Sequence, residues 1–366
     1  MRCPLLAPTQ LCKENSRGMT RNQSCPQARQ CYFRLMSLTA TIHRVDTRDG
    51  WKIALHHYGH QPRSKAKDTI ILCHGLSVNR YNVDAPGDLS FAKYLHSHGW
   101  DVWVLELRGA GRSSKPKPWN RLRYNWNLDD YILHDVPAAI RFVQERSGRD
   151  QVHWMGHSLG GMLAYAFMCT QGSDWAKSIV TVGSPSMRAV RNPFLDQLSP
   201  LKRVISLFSR TPHASLAPFA APLVALSAPW TARLVLNPDN MRRQDISRLV
   251  RLTAENIPTT LIKQLWDWYD DAAMPNHYGF LSYTEHLDRI TAPLYVVAGT
   301  DDRLTPPQDC RIVYEEASSE DKKYDCFGIE TGCRHDYGHI DLVLGRYARE
   351  EVWPHILTWL NTRASH

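Results

Sequence analysis

A serine, an acid and a histidine recur along this chain in surroundings that would make the serine a nucleophile. The segment Gly156-His157-Ser158-Leu159-Gly160-Gly161 follows an apolar run at 151–155 and leads straight into helix-like spacing at 159–170. A serine between glycines, on a sharp turn from strand to helix, projects its hydroxyl above the sheet edge, and the glycines let the flanking elements close up. A serine hydroxyl is a weak nucleophile, so it needs a base, and the base needs a carboxylate to hold its tautomer. Gly299-Thr300-Asp301-Asp302-Arg303-Leu304-Thr305-Pro306 leaves the apolar run 293–298 and offers Asp302 as that acid. Asp301 is the alternative, since the loop conformation decides which carboxylate turns inward, and either could cap the helix starting near Pro307. Asp336-Tyr337-Gly338-His339-Ile340-Asp341 supplies the base. The order Ser, Asp, His and the preceding glycine select His339, with nearby His335 as the alternative.

The developing oxyanion would need two backbone N–H donors. One is Leu159, at the start of the helix after the serine; the other is Leu76, in His74-Gly75-Leu76-Ser77. His74 directly follows a buried-strand pattern and is read as ordering its loop.

These loops require a sheet to hold them. Continuous apolar runs at 69–73, 101–107, 151–155, 178–182 and 293–298 fit strands buried on both faces. Helical spacing at 89–97, 128–144, 159–170, 307–317 and 346–360 alternates with them, and a strand-like stretch lies at 323–329. This alternation gives an α/β fold with a mostly parallel central sheet flanked by helices. Asp49-Gly50 between runs at 41–45 and 51–58 predicts a hairpin at the start. Between 184 and 287 the alternation stops, and helical patterns with prolines but no convincing strand predict a helical cap, inserted before the strand that carries the acid. Pro218, Pro222 and Pro229 interrupt the uncharged stretch 214–232, which rules out a single membrane-spanning helix there. Leu261, Leu265, Trp268 and Tyr269 form an amphipathic stripe. The predicted division is a basic arm at 1–37, core at 38–185, cap at 186–287 and core at 288–366.

Composition narrows the function. The formal charge is +8, yet residues 1–35 hold six cations against Glu14 alone, so +5 falls on the arm and +3 on the rest. That distribution argues against a nucleic-acid-binding face. The nine cysteines show no zinc-like spacing and an odd count, which favours a reducing compartment. No secretory signal is read at the N-terminus, so the expected address is cytoplasmic, with a membrane surface as a second location and organellar import through the arm left open. Residues 188–251 carry ten Lys or Arg against three Asp or Glu, an excess that would let the cap rest on an anionic lipid surface.

On these residues the chain resembles the α/β-hydrolase superfamily, and within it the acid-lipase and lysophospholipase-like branch, over 69–184 and 292–360. Asn127-Leu128-Asp129-Asp130-Tyr131 through Asp135-Val136-Pro137-Ala138-Ala139-Ile140 is similar to the acid lipases' helix before the nucleophile strand. Gly338-His339-Ile340-Asp341 is similar to their catalytic histidine followed two residues later by aspartate, and Glu106-Leu107-Arg108-Gly109-Ala110-Gly111-Arg112-Ser113 resembles the superfamily's Asp-x-Arg-Gly-x-Gly-x-Ser stretch, with Glu for Asp. Leu159 stands where acid lipases usually carry glutamine, so activity at low pH is not implied. The expectation is a serine hydrolase of small apolar esters, with no cofactor and no metal. Acyl transfer or thioester cleavage by the same triad is the alternative; a serine peptidase or a non-catalytic binding protein ranks below them.

Overall fold

In the computed structural model, placement is described for residues 38–60, 66–188, 190–192, 195–196, 202, 205, 207–226, 232–271, 273–276 and 282–365. The expected basic arm lies outside these residues, as do Pro229 and parts of the cap.

One sheet is formed by β1 (Thr41–Asp46), β2 (Lys52–Tyr58), β3 (Thr69–Cys73), β4 (Asp101–Glu106), β5 (Val152–His157), β6 (Ala176–Val182), β9 (Leu294–Gly299) and β10 (Lys322–Phe327). Its eight strands lie in the order β1-β2-β4-β3-β5-β6-β9-β10. The Asp49-Gly50 turn joins β1 and β2 as an antiparallel hairpin, and β2 meets β4 antiparallel; every other pairing within it is parallel. The central strands are buried throughout, as helices on both faces demand.

The helices α1 (Phe91–Ser97), α2 (Val136–Ser147) and α3 (Leu159–Gln171) follow in the first half of the sheet. Ser90 starts α1 by accepting the N–H of Lys93 through its hydroxyl, two residues later than the apolar spacing suggests. Before α2, residues Tyr131–Asp135 form a π-helical stretch, where Pro137 removes a backbone donor from the regular ladder. α3 is apolar on nearly all sides because it is sheathed by the sheet and its neighbours.

The cap region contains α4 (His213–Leu226), α5 (Arg243–Thr253) and α6 (Thr259–Asp271), with single helical turns at Ala232–Leu234 and Pro238–Asn240 ahead of α5. The expectation of no strand there is corrected by a two-stranded ribbon, β7 (Arg210–Thr211) with β8 (Ile257–Pro258), too short to leave a periodic signal. A second correction concerns prolines: Pro218 and Pro222 lie inside α4 rather than ending it. No helix among the described residues is long and apolar enough to cross a membrane. Finally α7 (Pro307–Glu316) packs behind β9, and the C-terminal segment expected as one helix is divided into Ala348–Glu351 and α8 (Trp353–Asn361), with Pro354 in the first turn of α8.

Candidate active site

Ser158 sits between β5 and α3 with φ 53° and ψ −119°. A non-glycine residue there carries strain of about 1–3 kcal/mol, held in place by the surrounding packing. Two glycines make the turn possible: a Cβ on Gly156 would stand 2.2 Å from the carbonyl carbon of Gly160, and one on Gly160 would stand 2.5 Å from the carbonyl oxygen of Cys73. Strand, turn and helix therefore touch backbone to backbone. The serine remains half-buried and faces a cavity of about 310 Å³.

His339 lines the same cavity. Its Nδ1 lies 2.8 Å from Asp302 Oδ2, and both residues are buried. Asp302 Oδ1 accepts the backbone N–H groups of Leu304 (3.0 Å) and Thr305 (2.8 Å), so the loop itself orients the carboxylate. Asp301 turns outward to Arg303 at 3.0 Å. His335 stacks on Tyr347 with ring centroids 5.7 Å apart and takes no place with Ser158 or Asp302. The structure thus brings Ser158 and His339 to one cavity wall, with Asp302 bonded behind His339, and leaves both alternatives aside.

Leu76 and Leu159 also line the cavity. Leu159 is the first residue of α3, where backbone N–H groups have no acceptor within the helix. Leu76 follows Gly75, whose absent Cβ would stand 3.2 Å from the Cβ of Ser158. His74 joins this loop to the sheet: Nδ1 donates to the Gly75 carbonyl at 2.8 Å, and Nε2 accepts the N–H of Leu107 at 3.2 Å. Burial keeps His74 neutral, lowering its pKa, as that tautomer requires.

Several supporting residues carry no signal in sequence. His157 contacts Asn82 Oδ1 through Nδ1 (2.9 Å) and the backbone carbonyl of His339 through Nε2 (3.0 Å). Both partners are acceptors, but burial and the neighbouring His339 push its pKa down to about 3, so it donates to one of them as a neutral ring. The same Asn82 oxygen accepts the N–H of Gly75 at 3.0 Å, linking the loop after β3 to the histidine loop.

Asp341, fully buried, accepts from the N–H of Asn237 (2.8 Å), Asn240 Nδ2 (2.8 Å) and the N–H of Gly338 (3.0 Å). Burial raises its pKa to about 6. Asn237 and Asn240 lie in the cap and also donate to the Asp336 carbonyl at 2.7 Å and 2.9 Å. A second attachment joins cap and core where Glu255 N–H meets the Ser77 carbonyl (2.8 Å) and Asn79 Nδ2 meets the Leu252 carbonyl (2.9 Å). Only the Asp341 end of these networks leaves a mark in sequence, through its place two residues after His339.

The cavity wall is built from apolar side chains of core and cap, including Met162, Leu236, Met241, Ile246, Leu249 and Trp268, and no lysine or arginine lines it among the described residues. Of the predicted stripe, Leu265, Trp268 and Tyr269 reach this wall, while Leu261 is buried in the core. Away from it, Asp49, Asp130 and His134 bring possible ligand atoms within 4.8 Å of one another. The Arg108 guanidinium already occupies that place, 2.6 Å from Asp49 and 3.9 Å from Asp130.

Comparison with known proteins finds lipases and esterases among those similar to this chain. A probable lipase of Schizosaccharomyces pombe is 24% identical over 347 residues, covering 86% of this chain and 75% of the relative. Lipase member K of Homo sapiens is 22% identical over 361 residues, covering 86% and 85%. Among solved structures, a thermophilic esterase from Thermogutta terrifontis superposes with a TM-score of 0.60 at 15% identity, covering 89% of this chain and 100% of that one. The monoacylglycerol lipase of Paleococcus ferrophilus gives 0.56 at 20% identity, covering 85% and 99%. The model of the alpha/beta hydrolase fold matches residues 68–328, well over half of the sequence, and the chain belongs to that family.

Proposed function

We propose that the chain hydrolyses carboxylic esters of apolar, lipid-like substrates through an acyl-enzyme on Ser158. The observation that carries this reading is the strained serine at the wall of an apolar cavity that His339 also lines, with Asp302 bonded behind that histidine. In the first step His339 takes the proton of Ser158 as its oxygen attacks the ester carbonyl, and Asp302 steadies the imidazolium. The N–H groups of Leu76 and Leu159 receive the oxyanion. His339 then returns the proton to the leaving alkoxide, and water cleaves the acyl-enzyme by the same route. A wall whose described residues include no lysine or arginine suits an acyl chain better than an anionic group. The lipase names of the two relatives point the same way.

The test is hydrolysis of p-nitrophenyl esters from acetate to palmitate by the wild type and by Ser158→Ala, with fluorophosphonate labelling alongside. A chain-length optimum that disappears in the variant supports the reading. A labelled wild type inactive on every ester moves the assignment to acyl transfer or peptide cleavage, and added acceptor alcohols separate these.

Contact with a lipid surface is a second part of the proposal. Leu207, Phe208, Leu216 and Phe219 of the cap are exposed, with Phe219 at 77%, in a region of cationic excess. Co-sedimentation with anionic vesicles should exceed that with neutral ones; equal binding to both would sink the idea.

A further inference from the structure

One wall of the apolar cavity is polar for no reason that ester cleavage requires. Asp309, in the first turn of α7, is 5% exposed and lines the cavity. Its Oδ1 accepts from both the backbone N–H (2.9 Å) and the hydroxyl (2.5 Å) of Ser186. No hydrogen bond among the described residues reaches Oδ2, and that atom is not sealed in the protein interior, so it opens onto the cavity. Thr305, 2% exposed, lines the same wall, and its hydroxyl likewise has no hydrogen-bond partner among the described residues.

A carboxylate oxygen in such a wall accepts from water when the cavity is empty. A wholly apolar chain would expel that water and leave the oxygen unpaired, whereas a hydroxyl on the substrate would replace the lost bond. An ammonium group would also fit the charge, but it must shed far more hydration in an apolar cavity to meet the Asp309 carboxylate. From this geometry we infer that the substrate is an ester bearing a free hydroxyl group, held by Asp309 Oδ2 with Thr305 beside it. Burial raises the Asp309 pKa to about 6, which leaves it an acceptor above neutral pH. The inference rests on the ester-hydrolase reading and narrows its substrate class.

The hydroxyl can belong to the acyl chain or to the alcohol, and two matched pairs distinguish the sources. One is p-nitrophenyl octanoate against a p-nitrophenyl hydroxyoctanoate; the other is methyl octanoate against glyceryl monooctanoate. In the wild type at pH 8, kcat/KM for the hydroxylated member of one pair should exceed its partner about tenfold or more. Asp309→Ala removes the acceptor and leaves no polar atom in its place, whereas the NH2 of an Asn there could still donate to the hydroxyl oxygen, and Thr305→Val removes the neighbouring hydroxyl. Each should collapse the ratio within the pair. A purely structural role would slow both members alike and leave the ratio standing, which overturns the inference, as does a wild-type ratio near one for both pairs. If no ester is cleaved, the broader reading fails separately. Protection of Ser158 from fluorophosphonate by octan-1-ol against its methyl ether then decides the point: better protection by the alcohol in the wild type alone supports the polar wall, and equal protection overturns it.

Discussion

Asp302→Asn is a sharp test of the site because the loop fixes which way the new amide must face. Two backbone donors, the N–H groups of Leu304 and Thr305, point at Oδ1. The amide oxygen therefore takes that position, and the NH2 replaces Oδ2 opposite His339 Nδ1, now 2.8 Å away. A donor facing Nδ1 forces that nitrogen to carry its lone pair, so the ring's proton moves to Nε2, the atom that must accept the proton of Ser158. The base is lost although every residue stays in place. In serine-protease triads, loss of the base through the wrong tautomer costs about 10⁴-fold in kcat, or about 5 kcal/mol of barrier. The expected result here is a fall of roughly 10³- to 10⁴-fold in kcat on a p-nitrophenyl ester, KM within a few-fold and a thermal midpoint near wild type. Asp301→Asn, which alters only contacts with Arg303 and Arg233, should stay within about twofold. An Asp302→Asn enzyme within tenfold of wild type, or a larger loss in Asp301→Asn, would refute the assignment.

Other expectations follow from the same contacts. Asn240→Ala removes the cap's side-chain bond to Asp341 and should lower kcat about tenfold with little change in KM, read from initial rates on the preferred ester. Leu249→Trp fills part of the cavity and should shift the chain-length optimum towards shorter acyl groups in the p-nitrophenyl series. His157 titrates near 6.5 when unfolded and about 3 when folded, so its contribution to stability is complete above 6.5 and is lost as pH falls through that window. Each pH unit within it is worth about 1.4 kcal/mol, and the difference in urea stability between wild type and His157→Gln should shrink accordingly between pH 7 and pH 5. Asp68 behaves in the same direction for the opposite charge type. The His153 ring 3.5 Å away and hydrogen bonds from Lys177 and the backbone N–H groups of Thr69 and Ser365 outweigh its burial and hold its carboxyl well below the usual range, so stability from it is present above about 3.8 and lost as pH falls below that. Asp68→Asn should destabilise the protein by about 3 kcal/mol at pH 7 and by about 1 kcal/mol less at pH 3, measured by thermal unfolding.

The serine, its strand and its helix are legible in sequence because the chemistry there is local: residues 152–171 hold the strand, the glycines and the helix together in one stretch. The parallel sheet is legible for a similar reason, since doubly buried strands leave unbroken apolar runs. Choosing Asp302 over Asp301 depends on two backbone N–H groups in a loop, which no side-chain pattern records. The clamp formed by Asn237, Asn240 and Asp341 joins residues about a hundred positions apart, and asparagines in a Pro-containing turn look the same whether or not they reach across the fold. The persistence of α4 through two prolines is hidden because propensity alone treats each as a break. Asp309 reads in sequence as an ordinary acid in the first turn of a helix; only burial and the empty side of its carboxylate set it apart.

The cap is stitched to the core at two places that both matter to catalysis, the loop carrying Leu76 through Ser77 and Asn79, and the loop carrying His339 through Asp341. A lid hinged on one side can swing without disturbing what lies beneath it, whereas this one is a roof whose pillars are the catalytic loops. Admission of substrate must then come from parts of the roof away from the pillars, and not from the start of α4, where His213 Nδ1 lies 2.9 Å from the Ser77 hydroxyl. Trimming the cap to make a smaller enzyme would also cut both catalytic loops adrift, so the cap and the triad have to be inherited, or engineered, as a single unit.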